Sequence, residues 1–263
     1  MKQKLIAVID SGSGGLSIWQ AIVALLPHES IVYVGDHAHL PYSEKTTAYI
    51  RRRILLIVHF LAKLQVKLVV IACNTATVAG IDYYRQHTQN LPIIGVVPVV
   101  KTAAEVSKKR SFAVIATNYT AASRYQHDLI KKYAGGCNVI NLGCSNLVRA
   151  VESGHVKGAR VRRHVEKVLA PLKNSDIDYL VLGCTHYPFL APVIRDVVGS
   201  GVQLLDSGGA VARHVRRVLE QSRTLAKTGR PKYLFLTTGK AEKVSRVAQV
   251  LLDRKIHVTK ANI

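Results

Sequence analysis

Acidic residues are scarce in this chain: 16 Asp and Glu stand against 37 Lys and Arg over 263 residues, giving a formal charge of +21. Such an excess fits polyanion contact, a basic proteome or the attraction of an anionic substrate. The basic clusters, Arg51-Arg52-Arg53, Arg160 to Arg163 and Arg213 to Arg217, carry no interleaved aromatics and no nucleic-acid motif, so they read as solvated helix faces. Contact with nucleic acid or an acidic partner protein stays open as an alternative without a motif behind it. No uncharged apolar run nears the roughly 20 residues of a membrane span, which predicts no membrane partner. The N-terminus passes from Met1-Lys2-Gln3-Lys4 directly into a strand-length apolar run, which predicts no secretory leader and a cytoplasmic protein.

Cysteine is also sparse. Cys73, Cys137, Cys144 and Cys184 have no paired short spacings, which argues against a disulfide framework and for reduced thiols. Cys184 and His186 are only two apart but no other cysteine has a close partner, and neither common zinc spacing occurs, so no metal is expected. There is no Gly-Lys-Ser/Thr phosphate loop and no dinucleotide fingerprint.

What is present is an alternation of apolar strand-like runs with longer amphipathic stretches. It predicts an α/β protein with mainly parallel sheets. Strands are expected at 4–9, 30–34, 67–72, 92–96, 111–116, 137–142, 178–183, 202–205, 232–236 and 255–259. Helices are expected at 15–26, 44–64, 76–87, 99–108, 120–133, 145–152, 157–172, 189–198, 208–220 and 239–252. A weak duplication runs through this order. Ala7-Val8-Ile9-Asp10-Ser11 is echoed 106 residues later by Ala113-Val114-Ile115-Ala116-Thr117, and Cys73 is echoed 111 residues later by Cys184. Two pseudosymmetric α/β domains follow: 1–97 completed by 211–263, and 98–210, with the site between them.

Both echoed cysteines end a buried-strand run and precede small polar residues, Asn74-Thr75 and Thr185-His186. The carboxyl ends of parallel strands are where open α/β sheets bind ligands. One thiol on either side of a ligand could remove a proton from one face and return one to the other, the chemistry of a cofactor-free racemase. A strand-end cysteine is more often core than catalyst, but two in matched positions favour catalysis. The flanking hydroxyl and amide groups suit an amino acid substrate. Asp10-Ser11-Gly12-Ser13-Gly14-Gly15 could cradle an anion at a helix N-terminus or simply form a tight turn. Asp10 and His186 are plausible partners for the thiols. Cys137 and Cys144 are expected beside a strand and Trp19 in the core. His28, His37, His39, His59, His87 and His127 read as ordinary surface or helix histidines, and Glu152 by itself as a solvated carboxylate.

These segments resemble the glutamate racemases of the aspartate/glutamate racemase superfamily. The resemblance runs through Ile9 to Ser17, Tyr33-Val34-Gly35-Asp36, Pro41-Tyr42, Ala72 to Thr77, Gly95 to Pro98, Ala116-Thr117, Leu147-Val148 with Glu152, Gly183-Cys184-Thr185-His186-Tyr187-Pro188 and Thr237-Thr238-Gly239. It implies interconversion of L- and D-glutamate for peptidoglycan and cell wall biogenesis, with no cofactor and no metal, usually in a homodimer. Cys73 and Cys184 would be the two bases, assisted by Asp10, His186 and Glu152. Asp10, Ser11, Pro41, Tyr42, Ser43, Asn74, Thr75, Thr117, Thr120, Thr185 and His186 would hold the substrate. His186 favours glutamate over aspartate, since aspartate racemases typically carry glutamate there. A racemase for aspartate or another amino acid is the alternative. Three departures stand out: Ser43 for the usual glycine, His39 for a common arginine, and Asn118-Tyr119 in the loop between Thr117 and Thr120.

Overall fold

The computed structural model describes residues 4–88 and 91–263; Met1–Gln3, on which the reading of the N-terminus partly rests, lie outside the described residues. The strands are β1 Ile6–Asp10, β2 Ile31–Gly35, β3 Leu68–Ile71, β4 Ile93–Gly95, β5 Ser111–Ala116, β6 Asn138–Gly143, β7 Tyr179–Leu182, β8 Gln203–Leu205, β9 Tyr233–Thr237 and β10 Val258–Lys260. The helices are α1 Leu16–Leu25, α2 Thr47–Lys63, α3 Asn74–His87, α4 Val100–Val106, α5 Asn118–Ala121, α6 Arg124–Tyr133, α7 Asn146–Glu152, α8 Ala159–Leu169, α9 Ala191–Val198, α10 Gly208–Gln221 and α11 Ala241–Leu252.

All ten expected strands form, and they divide between two sheets. One has the order β10-β9-β2-β1-β3-β4, the other β6-β5-β7-β8, and every strand pair is parallel. The fold is therefore α/β with two parallel sheets. Strands β1, β2 and β3 are buried along their whole length, which explains their continuous Ile/Val/Leu composition: helices cover both faces of a parallel sheet. β6 lies at a sheet edge and is only partly buried, consistent with its Asn138 and Asn141.

The duplication extends to register. Ile9 pairs with Ile71, and Ile115, 106 positions on, pairs with Leu182, 111 positions on. The order β2-β1-β3-β4 is repeated as β6-β5-β7-β8. Because strand side chains alternate faces, a shared register places equivalent residues of the two sheets in equivalent directions.

One expected helix is two. Thr117 accepts a hydrogen bond from Thr120 N and starts α5, while Ser123 accepts one from Gln126 N and starts α6. Two side-chain caps within seven residues restart the helix where apolar periodicity alone runs it together. Trp19 is buried and packs near-perpendicular to Tyr233, with ring centroids 5.1 Å apart. Cys137 immediately precedes β6 and Cys144 immediately follows it. Among the described residues, no helix is long and apolar enough to cross a membrane, and all four cysteines are free thiols.

Candidate active site

β1 and β3 are neighbours, so Ser11 and Cys73 emerge side by side at their carboxyl ends; β5 and β7 do the same for Thr117 and Cys184. These loops meet in one pocket. It is lined by Ser11, Pro41, Tyr42, Ser43, Cys73, Asn74, Thr75, Thr117, Val148, Cys184, Thr185 and His186. All of these but Val148 are residues singled out from the sequence. Val148 sits on the buried face of α7, a position that periodicity marks as core and that only the packing turns toward the pocket.

The other three candidates lie one layer back. Asp10 is fully buried, accepting from Gly12 N (2.8 Å) and from Thr185 Oγ1 (3.0 Å). Thr120 Oγ1 accepts from Thr117 Oγ1 at 3.0 Å, behind a 2.9 Å bond between the Thr75 and Thr117 hydroxyls. Glu152 stands behind His186, 2.7 Å from its Nε2. Several of these bonds tie one sheet's loops to the other's: Thr185 to Asp10, Thr117 to Thr75, and Ser17 Oγ, which donates to Thr185 O at 2.9 Å.

The environments of the thiols differ. Cys73 caps α3, its sulfur accepting from Ala76 N at 3.4 Å, and its thiol donates to Ser11 Oγ at 3.6 Å. Burial and the nearby Asp10 carboxylate push the Cys73 thiol up to about 12, against the lowering effect of the Ala76 N–H. Cys184 lies 3.6 Å from His186 Nδ1. Burial opposes the imidazolium of His186, but its bonds to Cys184 and Glu152 outweigh that and raise it well above the usual histidine range. Glu152 shows the complement: burial would raise its carboxyl, yet the bond and charge of His186, with His37 and Ser13 N, hold it down at about 2. Burial raises Asp10, against the charge of His186 and the Gly12 N–H.

Three expectations are corrected by this arrangement. Glu152 is not a solvated carboxylate: its side chain is one-tenth exposed and receives Ser13 N at 2.6 Å. His37 is not an ordinary surface histidine, with its side chain 8 % exposed and its Nε2 2.9 Å from Ser13 Oγ. Arg53 does not belong to a solvated basic face. It is buried, donating to both oxygens of Asp36 at 2.9 and 3.0 Å and to the Ile263 carbonyl. Asp36 also accepts from Tyr42 Oη at 2.6 Å and from Thr238 Oγ1 at 2.8 Å, so this ion pair fixes a pocket wall. Sequence reasoning missed Asp36, Arg53, Ser13 and His37. Only the fold brings them to the site, although Ser13 lies within the glycine-rich loop already singled out.

Ser43 falls in a short 3-10 turn, Tyr42–Glu44, and its φ is not positive. The backbone there does not require glycine. Ser43 Oγ and Asn74 Nδ2 are buried without a hydrogen-bond partner, and both line the pocket. Unpaired buried polar atoms are costly, and here they face a space where a polar ligand would satisfy them. Among the described residues, no group of three or more His, Cys, Asp or Glu is arranged to hold a metal.

Comparison with known proteins agrees with this architecture. Residues 6–215 match the Asp/Glu/Hydantoin racemase family. The chain is 37% identical over 258 residues to a glutamate racemase of Pseudomonas paraeruginosa, covering 98% of this chain and 97% of the relative. Its fold is similar to the crystal structure of glutamate racemase isoform RacE1 from Bacillus anthracis, with TM-score 0.92, 32% identity and coverage of 100% and 99%. It is also similar to Escherichia coli glutamate racemase, crystallised with L-glutamate and the activator UDP-MurNAc-Ala, with TM-score 0.87, 30% identity and coverage of 98% and 97%. With four-fifths of its length matched and relatives aligned nearly end to end, the chain belongs to the Asp/Glu/Hydantoin racemase family.

Proposed function

We propose that the protein is a glutamate racemase that moves the Cα proton between two thiols without a cofactor, supplying D-glutamate for peptidoglycan. The observation that carries this reading is the pair of thiols, one from each of two sheets with matching order and register, lining a single pocket. Glutamate is the substrate favoured by the relatives and by His186 next to Cys184. In one direction the Cys184 thiolate removes the proton from L-glutamate and the Cys73 thiol protonates the opposite face; in the other the roles exchange. Ser43 Oγ, Asn74 and the hydroxyls of Ser11, Thr75, Thr117 and Thr185 hold carboxylate and ammonium with neutral groups. None of these adds a positive charge that would quench a thiolate.

The two units invoked are 1–97 with 211–263, and 98–210. The pocket encloses about 20 Å³, space on the scale of one water, so admitting glutamate requires the two sides to part. Closure then excludes water from the carbanion-like transition state. We place the enzyme in the cytoplasm, as a homodimer.

Incubation of the purified protein with L-glutamate in D₂O tests the reading. Chiral chromatography should show D-glutamate forming with deuterium at Cα. Undiminished turnover in both Cys73→Ser and Cys184→Ser would overturn the two-thiol mechanism, and faster turnover of aspartate than glutamate would overturn the substrate.

A further inference from the structure

The hydrogen-bonded chain behind Cys184 does not stop at Glu152. Ser13 Oγ lies 3.1 Å from Glu152 Oε2 and 2.9 Å from His37 Nε2. On its other side His37 Nδ1 lies 3.1 Å from the Gly35 carbonyl and 2.8 Å from Thr237 Oγ1. A carbonyl only accepts, so Nδ1 carries a proton and Nε2 is the nitrogen free to gain or lose one. The Ser13 hydroxyl has one proton and two neighbours that want it. When His37 is neutral, Nε2 accepts that proton. When His37 is charged, Nε2–H donates to Ser13, whose own proton turns to Glu152 Oε2.

We propose that His37 is a positioning residue of the Cys184 half, acting through the Ser13 hydroxyl to set how firmly Glu152 holds His186 beside the thiol. The proposal rests on the reading that Cys184 works as one of the two bases. His37 also borders a second cavity of about 540 Å³, lined by Ser13, Glu152, Lys240, Lys243 and Lys260 among others, which gives the far end of the chain contact with solvent. The groups facing His37 are Ser13 from the loop after β1, the Gly35 carbonyl from β2, Glu152 from α7 with His186 behind it, and Thr237 from β9. Lys240 and Lys243 face the same cavity from the start of α11, and Lys260 from β10. Among the described residues, no such hydrogen-bonded chain ends at Cys73, whose hydrogen bonds go to Ser11 Oγ and Ala76 N and whose nearby charge is the Asp10 carboxylate.

Two variants of the full chain test this, His37→Leu and His37→Gln, each checked for an unchanged melting temperature. Both thiols open on the same pocket, so the ratio of their iodoacetamide alkylation rates, read peptide by peptide, cancels differences in access. His37→Leu should shift the pH profile of Cys184 alkylation and leave that of Cys73 in place. It should also lower kcat/KM about tenfold, the size of a lost hydrogen bond to a charged group. Glutamine bonds Ser13 but cannot take up a proton. His37→Gln should therefore recover most of the rate while erasing the pH-dependent step. Unchanged Cys184 profiles in both variants, or equal shifts at both thiols, would overturn the proposal. A chain that fails to racemise glutamate yet shows the selective Cys184 shift would overturn the reading of the site and leave the His37 linkage standing.

Discussion

Cys73 caps α3, whose Ala76 N–H donates to its sulfur, whereas Cys184 precedes a 3-10 turn, Tyr187–Leu190, and leans on an imidazole. The strands that deliver the two thiols share order and register, so the difference lies wholly in the loops. On the Cys73 side a thiolate is opposed by burial and the Asp10 charge and favoured by the Ala76 N–H at the helix start. On the Cys184 side the sulfur faces an imidazole whose pKa its bonds to Cys184 and Glu152 raise well above the usual histidine range. A duplicated scaffold thus supplies placement, and the residues after each strand supply two unlike acid/base environments. That suits a site that must handle two mirror-image substrates with side chains that are not mirror images.

The largest effect should come from removing either thiol. Cys73→Ser and Cys184→Ser should each lower kcat/KM by about 10²–10⁴-fold, the usual worth of a positioned acid or base. Because the enantiomers have equal free energy in water, that loss must be the same with L- or D-glutamate whichever thiol is replaced. The halves separate instead in the isotope effect: Cα-deuterated L-glutamate and D-glutamate should respond differently to each substitution. Identical responses would erase the division of labour.

Next in size is a feature of the Cys73 half alone. Arg53→Ala leaves Asp36 buried and charged under Tyr42, which should cost about 3–5 kcal/mol in urea unfolding. A smaller loss would mean that Tyr42 and Thr238 suffice to hold Asp36.

Glu152→Gln probes the other half. Removing the carboxylate lets the His186 pKa fall, and kcat/KM should drop by about tenfold or more. Glu152 titrates near 2 instead of its ordinary 4.5, so it stabilises the fold above pH 4.5 and progressively less as pH falls toward 2. The stability gap between the unsubstituted chain and Glu152→Gln should therefore be widest above 4.5 and close in acid. A gap that is constant with pH would show that the charge of Glu152 is not what matters. The smallest effect should be Ser43→Gly: with φ not positive at Ser43 the backbone needs no glycine, and loss of the Oγ hydrogen bond alone should raise the KM for glutamate about fivefold.

Much of this was present in local pattern. Buried parallel strands are continuous apolar runs, so all ten follow within a few residues; of the pocket-lining residues, Ser11, Cys73, Asn74, Thr75, Cys184, Thr185 and His186 follow from strand ends and their loops, while Pro41, Tyr42, Ser43 and Thr117 follow from the family resemblance. Two kinds of feature escaped. The restart of the helix at Ser123 depends on a side-chain cap that apolar periodicity does not register. The burial of Glu152, His37 and Arg53 depends on partners 139, 24 and 17 positions away, and a charged residue reads as solvated until its partner is known.

The sequence by itself determined the parallel α/β scaffold, its duplication and the two thiols at equivalent strand ends, because strand burial and side-chain alternation are local and periodic. Only the tertiary structure decided that the loops of the two sheets close on one pocket, and that His186, Glu152, Ser13 and His37 form a chain behind Cys184. Hydrogen bonds and buried charges are set by which distant groups meet, and sequence spacing carries no record of that meeting.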